Sequence, residues 1–330
     1  MLIPLSYGAI TVSGWVITVP WDDRVKRRFK LRELDIFMAV LSAGSMGKAA
    51  VHLNMAQPAV SKAVSDLEHM LGVRLLDRSR QGVEPTAHGS ALFKRGMAVF
   101  DELRQGVQEL DFLSDVVAGE LRIGCTDTIS NAIVTPLVLR LTEQYPRIVF
   151  HVDIRNPPLL GRELTARNIE LAISRVIPPA EAGESVDILF EDRVAVVTGK
   201  KNPLTRRHKV TLANLVNEPW VVFDNVLWKR LTDSFSANGL SPPHISVVTH
   251  SINLHNELAA SGRFLTLMPS FAFRFPRSNP LLRALPVALP NSRHPVGIRT
   301  LQNRSLSPLA QLFVERVRAF TKPLATSEAN

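Results

Sequence analysis

A row of short polar side chains lies opposite an apolar stripe in residues 45–72, which read SMGKAAVHLNMAQPAVSKAVSDLEHMLG. The stripe falls at helical spacing in the second half of this stretch and predicts one buried helix face, formed by Val60, Val64, Leu67 and Leu71. The opposite face carries an amide, two hydroxyls and one cation, namely Gln57, Ser61, Lys62 and Ser65. Gln can pair with adenine, Lys with guanine or phosphate, and Ser with either. This face therefore predicts a helix that reads the bases of DNA.

A second short helix must hold that helix in place. Ser45 can cap it, and Asn54 tolerates the left-handed turn that would end it. Pro58 then falls in the first turn of the second helix, where a missing N–H costs nothing, and its position adds it to the candidate DNA contacts. Two small helices with a tight turn predict a helix-turn-helix whose second member is the recognition helix.

These residues carry a family resemblance. The segment AAVHLNMAQPAVSKAVSDLEHMLGVRLLDR, followed by PTAHG, resembles the winged helix-turn-helix of LysR-type transcriptional regulators, and the match runs from about Leu31 to the C-terminus. Two positions depart from the family pattern: Ala56 stands where a capping Ser is frequent, and Leu76 where Phe is usual. The first departure weakens the helix start by roughly 1 kcal/mol. The resemblance implies an all-α winged helix-turn-helix domain over residues 31–90.

The rest of this first domain is a supporting helix and a wing. Leu31–Leu41 predicts the helix, and the runs VRLLDRS, RQG and VEP predict a hairpin with Gly82 in its turn. Arg78 and Arg80 lie on this hairpin, where cations can contact DNA phosphates. The alternative is that both are solvated or paired within the protein.

A long linker helix is predicted over residues 86–118, starting at a Thr86 cap. Apolar residues near heptad spacing form a seam: Leu92, Val99, Leu103, Leu110, Leu113 and Val117, flanked by Phe93, Phe100 and Val107. Gly96 and Gly106 weaken a strict coiled coil. A core helix of the next domain is the alternative, but the resemblance favours pairing with a second copy.

From Gly119 onwards strands alternate with helices, which predicts a parallel α/β arrangement. Two lobes are expected, lobe I over about 119–193 and 297–330 and lobe II over about 194–296. Together, residues 119–330 resemble a two-lobed periplasmic-binding-protein-like effector domain. The segments ELTARNIELAIS and ASGRFLTLMPS look most similar to the galactose-binding-protein-regulator branch of the family.

Polar side chains follow the ends of several predicted strands, where ligands bind in open α/β sheets. Each could instead be only a helix cap, but their recurrence at matching strand ends favours an inter-lobe ligand site. A sugar, a sugar acid or a small carboxylate would suit this mixture. The effector-binding candidates are Thr126, Asp127, Thr128, Asn156, Arg175, Asp224, Asn225, Trp228 and Ser251.

Composition narrows the class of protein. The net charge of +9 suits a polyanionic partner, although a diffuse basic surface would give the same number. The single cysteine, Cys125, excludes an intrachain disulfide; we interpret it as a small buried side chain, with a redox sensor as the alternative. We interpret His250 and His255 as surface or capping groups. No metal-ligand spacing, nucleophile motif or dinucleotide fingerprint occurs, so we expect no catalytic residues, no metal and no cofactor.

The N-terminal residues 1–30 form an uncharged, mostly apolar extension up to Trp21, interrupted by Pro and Gly. We expect this extension to be disordered, or the native start to lie near Val25, in preference to a membrane span.

The sequence therefore predicts a ligand-responsive regulator, cytoplasmic and not an enzyme. The expected partners are double-stranded promoter DNA with dyad symmetry, a small-molecule effector, a second copy in a homodimer or homotetramer, and RNA polymerase. A solute-binding transport component or an enzyme on the two-lobed domain are the alternatives.

Overall fold

A computed structural model describes residues 10–12, 15–17, 29–79, 82–114, 118–176, 183–223, 225–273, 279–289 and 293–326. The chain forms two compact units, Met1–Asp101 and Glu102–Asn330. In the N-terminal extension, β1 (Ile10–Val12) pairs antiparallel with β2 (Trp15–Ile17). Both strands consist of β-branched and aromatic residues, which favour extended pairing.

The first unit contains the predicted helix-turn-helix and wing, which are confirmed. Its helices are α1 (Leu31–Ala43), α2 (Met46–His52) and α3 (Gln57–Leu71), followed by the hairpin of β3 (Leu76–Ser79) and β4 (Gly82–Pro85). Side chains from all three helices and the start of the wing fill one core, including Phe37, Val40, Ala49, Val60, Val64, Leu67, Leu75 and Leu76. The core fixes the angle at which α3 presents its polar face.

Local backbone chemistry sets the helix boundaries. The Ser45 side chain accepts a hydrogen bond from the Lys48 amide at 3.1 Å, and Asn54 adopts a φ of 53°. Ala56 precedes α3 without any side-chain cap. The Ser45 cap, the left-handed Asn54 and the absence of a side-chain cap at Ala56 agree with the prediction from the sequence.

Two glycines allow the wing to approach its neighbours. Gly82 has a φ of 137°, and a Cβ there would lie 2.8 Å from the Gly44 carbonyl oxygen. A Cβ on Gly89 would collide with the Leu75 carbonyl oxygen. A larger residue at either position would move the wing.

The long helix α4 (Ala87–Ser114) begins at the predicted Thr86 cap, where the Thr86 hydroxyl oxygen accepts from the Gly89 amide at 3.0 Å. Part of the predicted seam is used inside the first unit, because Leu92, Phe93 and Phe100 pack against its core. The remaining described seam residues are exposed, by 41–65 %: Val99, Leu103, Val107 and Leu110. The Leu113 side chain and Val117 lie outside the described residues.

The polarity of α4 is inverted in this stretch. Asp101 is 4 % exposed and Gln105 is 7 % exposed, while the apolar residues between and beyond them face outwards. A helix of a monomeric protein normally buries its apolar face.

The second unit contains the two predicted α/β lobes. Lobe I is built on β5 (Ala118–Cys125), β6 (Arg147–Ile154) and β7 (Leu171–Arg175), of which β6 and β7 flank β5 in parallel. Its helices are α5 (Asp127–Ile129), continued through a π-helical turn (Ser130–Val134) into α6 (Thr135–Gln144), then α7 (Pro157–Thr165) and the C-terminal α10 (Pro308–Thr326).

Lobe II contains β9 (Trp220–Val222), α8 (Asn225–Ala237), β10 (Ile245–Val248), α9 (Ile252–Ala260), β11 (Thr266–Pro269) and β12 (Leu282–Ala284). Strands β9 and β10 pair in parallel, and Trp220 bridges to Leu265 next to β11. The core of this lobe surrounds Trp220, Leu231 and Phe235.

Two strands connect the lobes. The 16-residue β8 (Glu184–Gly199) pairs with β13 (Arg293–Leu301) along its first part and with β11 and β12 along its last part. Strand β8 thus runs through both lobes within one seven-stranded sheet, whose order is β11-β8-β13-β7-β5-β6 with β12 also paired to β8. The pair β9 and β10 forms a separate sheet of lobe II.

No single helix in the described part of the chain is long and apolar enough to cross a bilayer. Helices α1 and α2 meet those criteria only as a pair, which is bent by 118°.

Candidate functional site

The recognition helix presents a continuous polar face. Gln57, Pro58, Lys62 and Ser65 are exposed on α3, opposite its buried stripe, and Ser61 is half-buried on the same side. His69 lies one turn beyond Ser65 and is also exposed, and the sequence interpretation missed it because it sits in the last turn. An exposed row of amide, hydroxyl and cationic groups on a helix can hydrogen-bond to base edges.

Arg78 of the wing contacts the recognition helix α3. Arg78 donates to the Ser61 hydroxyl at 3.2 Å, and its guanidinium lies 3.8 Å from a Glu68 carboxylate oxygen. This pairing within the protein is the alternative that the sequence left open for Arg78. The Arg78 side chain is nevertheless 44 % exposed, so phosphate contact stays a prediction. Arg80 lies outside the described residues.

Glu68 anchors the wing, and sequence reasoning missed this role. Its second carboxylate oxygen accepts from the backbone amides of Leu75 and Leu76, at 2.7 and 3.1 Å. One carboxylate therefore joins the end of α3, the first strand of the wing and Arg78. Its partners lie beyond the end of the helix along the chain, so no helical periodicity points to them.

A cavity of about 370 Å³ lies between the two lobes of the second unit. Six of the predicted effector-binding residues line it: Thr126, Asp127, Thr128, Asn156, Arg175 and Trp228. They come from the ends of three strands of lobe I and from α8 of lobe II. These side chains are far apart in sequence. The rule that ligands bind beyond strand ends correctly predicted that they lie together.

Three other candidates have different positions. Ser251 is exposed and caps α9, accepting from the Leu254 amide at 3.3 Å, while its neighbours His250 and Ile252 line the cavity. Asp224 lies outside the described residues. Asn225 begins α8, and its side chain is also outside the described part. Asn156 both lines the cavity and caps α7, so the cap and ligand roles are compatible at that position.

Most of the cavity wall is apolar, which the polar candidates did not indicate. Contributors include Ile129, Ile154, Phe223, Met268 and Phe271. Asp192 holds Phe271 in place, since its carboxylate accepts from the Phe271 amide at 2.9 Å and from the Ser270 hydroxyl at 2.8 Å. The position of the wall depends on contacts between β8 and the segment after β11, which are far apart in sequence.

His255 is a buried cavity residue and not the surface or capping group that its sequence position suggested. It is 2 % exposed, and Nε2 lies 2.6 Å from the Thr266 hydroxyl oxygen. Nδ1 lies 3.3 Å from the Asn256 side-chain oxygen, so both ring nitrogens have a polar neighbour. Burial lowers the pKa of His255 below its usual value, which maintains the neutral form.

Charged groups at the cavity edge are partly balanced within the protein. Arg155 pairs with Asp153 at 2.8 Å and with Glu163 at 3.7 Å, and the Asp153 hydrogen bond raises the Arg155 pKa. Partial burial raises the Asp127 pKa, opposed by a backbone hydrogen bond. Lobe I therefore contributes cationic, carboxylate, amide and hydroxyl groups to the cavity, and lobe II contributes aromatic rings together with His250 and Thr266.

Cys125 lies at the end of β5 and is fully buried. Burial raises the pKa of its thiol to about 12, so almost no thiolate exists at neutral pH. The buried, inert interpretation is favoured over a redox sensor.

We expect native protein to resist iodoacetamide at about pH 8, because the reactive thiolate is absent and the sulfur is inaccessible. Intact-mass measurement should show no adduct until urea is added. Rapid labelling of the folded protein would instead identify Cys125 as a reactive thiol.

Among the described residues, no group of His, Cys, Asp and Glu could hold a metal ion.

A polar recognition helix with a wing, and a two-lobed unit with a ligand-sized cleft, define a DNA-binding protein with a sensor domain. The sequence matches the model of the bacterial regulatory helix-turn-helix protein, lysR family, over residues 31–90, and the LysR substrate binding domain over residues 114–322. The chain belongs to the LysR family of DNA-binding transcriptional regulators.

Relatives and solved structures agree with this assignment. YdcI, an uncharacterised HTH-type transcriptional regulator of Escherichia coli K12, is 27 % identical over 295 residues, covering 88 % of this chain and 96 % of YdcI. GbpR of Azospirillum brasilense is 27 % identical over 299 residues, covering 89 % of this chain and 87 % of GbpR.

The fold is similar to that of a full-length OxyR variant from Pseudomonas aeruginosa, with a TM-score of 0.62, 18 % identity, and coverage of 90 % of this chain and 95 % of that one. It is also similar to CbnR, a LysR family regulator, with a TM-score of 0.57, 20 % identity, and coverage of 89 % and 99 %. The family is one of transcriptional regulators, which favours that class over a solute-binding protein or an enzyme.

Proposed function

We propose that this regulator binds dyad-symmetric promoter DNA as a homodimer or homotetramer and adjusts that binding when a small molecule occupies the inter-lobe cleft. The observation that supports it is the 370 Å³ cavity lined by polar groups at strand ends, in a chain that also carries a recognition helix. Its place of action would be the cytoplasm, where RNA polymerase is the natural further partner.

The DNA contacts divide into base-reading and phosphate-binding groups. Gln57, Lys62 and Ser65 are exposed on α3 and would read bases, with Pro58 and Ser61 at the edge of the contact. Arg78 and Arg80 would contact phosphates from the wing. Because Arg78 also bonds to Ser61, wing and helix would bind DNA as one body.

The inverted polarity of α4 supports the dimer. Val99, Leu103, Val107 and Leu110 form an exposed apolar strip, while Asp101 and Gln105 are buried. Pairing with the same strip of a second copy would remove this apolar surface from water.

The effector would be a small ring or short chain that carries a carboxylate or several hydroxyls. Arg175, Asn156 and Thr128 lie at the cavity with hydrogen-bonding groups, and Trp228 and Phe223 provide aromatic surface. A sugar, a sugar acid and a small carboxylate all suit this arrangement, and GbpR is a relative that aligns with 89 % of the chain.

The test distinguishes the residues of α3 that would contact DNA from the cleft residues that would bind the effector. Lys62→Ala and Gln57→Ala should each weaken the specific site by about 1–3 kcal/mol and random DNA much less, because base-edge contacts alone discriminate. Thr128→Val keeps the side-chain shape and removes a hydroxyl, so effector affinity should fall while DNA binding without effector stays unchanged.

DNA titrations and calorimetry with sugars, sugar acids and small carboxylates measure both quantities. Lys229→Ala, an exposed cation in lobe II, and Thr165→Val, an exposed hydroxyl on α7, are matched controls. Two results would contradict this assignment of DNA contacts to α3 and effector contacts to the cleft. One is loss of DNA binding without effector in a folded Thr128→Val protein, and the other is weaker effector binding in Lys62→Ala.

A further inference from the structure

Lobe II carries a strongly basic loop that neither the effector cleft nor the recognition helix uses. This basic loop spans residues 199–210 and reads GKKNPLTRRHKV. Its five cations are all exposed: Lys200, Lys201, Arg206, Arg207 and Lys209. In the described part of the chain, none of the five pairs with a carboxylate.

The basic loop is anchored to lobe II by side-chain hydrogen bonds and by two buried apolar residues. The buried Asn202 side chain donates to the Gly262 carbonyl at 2.9 Å and accepts from the Leu204 amide at 2.8 Å. The Thr205 hydroxyl donates to the Asn202 carbonyl at 2.7 Å, and Leu204 and Val210 are buried beneath. The apolar side chains of Leu204 and Val210 therefore point inwards, and the outer surface of the loop is dominated by cations.

Most of the net positive charge of the chain lies in lobe II. Residues 194–292 contain eleven Lys and Arg but four Asp and Glu, and residues 194–217 contain no carboxylate at all. Residues 31–90, the winged helix-turn-helix domain, contain six of each sign and carry no net charge. The winged helix-turn-helix domain therefore has no excess of positive charge, and its phosphate contacts depend on individual cations such as Arg78. Unpaired cations elsewhere in the chain would add to the non-specific affinity.

We infer that the basic loop of lobe II binds the phosphate backbone of DNA, as a sequence-independent contact additional to the helix-turn-helix. Protein interfaces bury apolar side chains at their centre, and membrane-binding segments insert them. The loop exposes no large apolar anchor, since Leu204 and Val210 are buried and Pro203 is its one exposed apolar residue. Clustered cations without an apolar anchor match the requirements of a polyanion, and DNA is the polyanion that this family binds.

The experiment compares salt dependence in full-length variants. Arg206→Gln with Arg207→Gln should make the slope of log affinity against log salt shallower by about 2, one counterion-linked contact for each residue. The loss should be equal on the promoter site and on unrelated DNA of the same length, because phosphates carry no sequence. Arg206→Lys with Arg207→Lys should restore the original slope.

Lys229→Gln with Arg316→Gln removes the same charge from exposed positions outside the loop and should leave the slope unchanged. Thermal unfolding and mass measurement establish that each variant is folded and of native assembly. A slope for the loop variant equal to that of the control would overturn the inference. If that variant instead lost binding to RNA polymerase while its DNA slope stayed unchanged, the inference would be wrong and the loop would be a contact for an acidic protein surface.

Discussion

Replacing Leu103 and Leu110 with Lys is expected to convert the protein into a folded monomer. Both side chains are exposed in the single chain, by 48 % and 65 %, so Lys costs little there. In a dimer paired through α4, each Lys would be buried without a partner, at a cost of about 3–5 kcal/mol per uncompensated charge. Sedimentation equilibrium measures the mass, and DNA binding to a dyad-symmetric site should fall with it.

Glu109→Lys is the matched control, because Glu109 is exposed on the same helix but outside the apolar strip. It should leave the mass of the assembly unchanged. A dimeric mass for the Leu103 and Leu110 variant would place the principal contact between copies elsewhere.

Changing Glu184 to Gln is expected to destabilise the second unit by about 3–5 kcal/mol, because it breaks a buried ion pair with Arg299. Arg299 donates to both Glu184 oxygens at 2.8 Å, and the two side chains are 8 % and 2 % exposed. Arg299 also donates to the Pro157 carbonyl at 2.8 Å, and Pro157 lines the effector cavity. Urea unfolding should show the loss, together with weaker effector binding.

An exposed pair of equal length serves as the control. Arg318 and Asp187 also lie 2.8 Å apart, but their side chains are 57 % and 43 % exposed. Asp187→Asn should cost less than about 1 kcal/mol, because water screens that pair. Equal losses for the two variants would show that the buried pair is not an energetic anchor of the cleft.

The sequence was most informative where structure depends on near neighbours. Ser45, Asn54 and Ala56 act within one helical turn, so their capping roles could be predicted from residue type. The stripe of α3 and the alternation of strands and helices are equally local patterns. They were enough to predict both domains and six of the residues that line the cavity.

Roles set by distant contacts could not be predicted in this way. His255 is buried because Thr266 and Phe223 enclose it, and Glu68 anchors a wing that begins after the helix has ended. On α4, the seam residue Leu92 and the flanking Phe100 follow the apolar spacing but pack inside the first unit, while the pairing of the exposed seam residues stays a prediction. Periodicity identifies an apolar face and leaves its partner undetermined.

Pairing through the outward-facing strip on α4, as proposed, would make the number of regulator molecules in the cell an input of its own. When monomers predominate, the concentration of paired protein rises with the square of total protein, by mass action. Occupancy of a two-fold symmetric promoter would then change more steeply than synthesis of the regulator, and modest changes in its expression would act as a threshold. Weakening the strip by Val107→Ala should move that threshold to higher abundance without changing the effector that the cleft accepts.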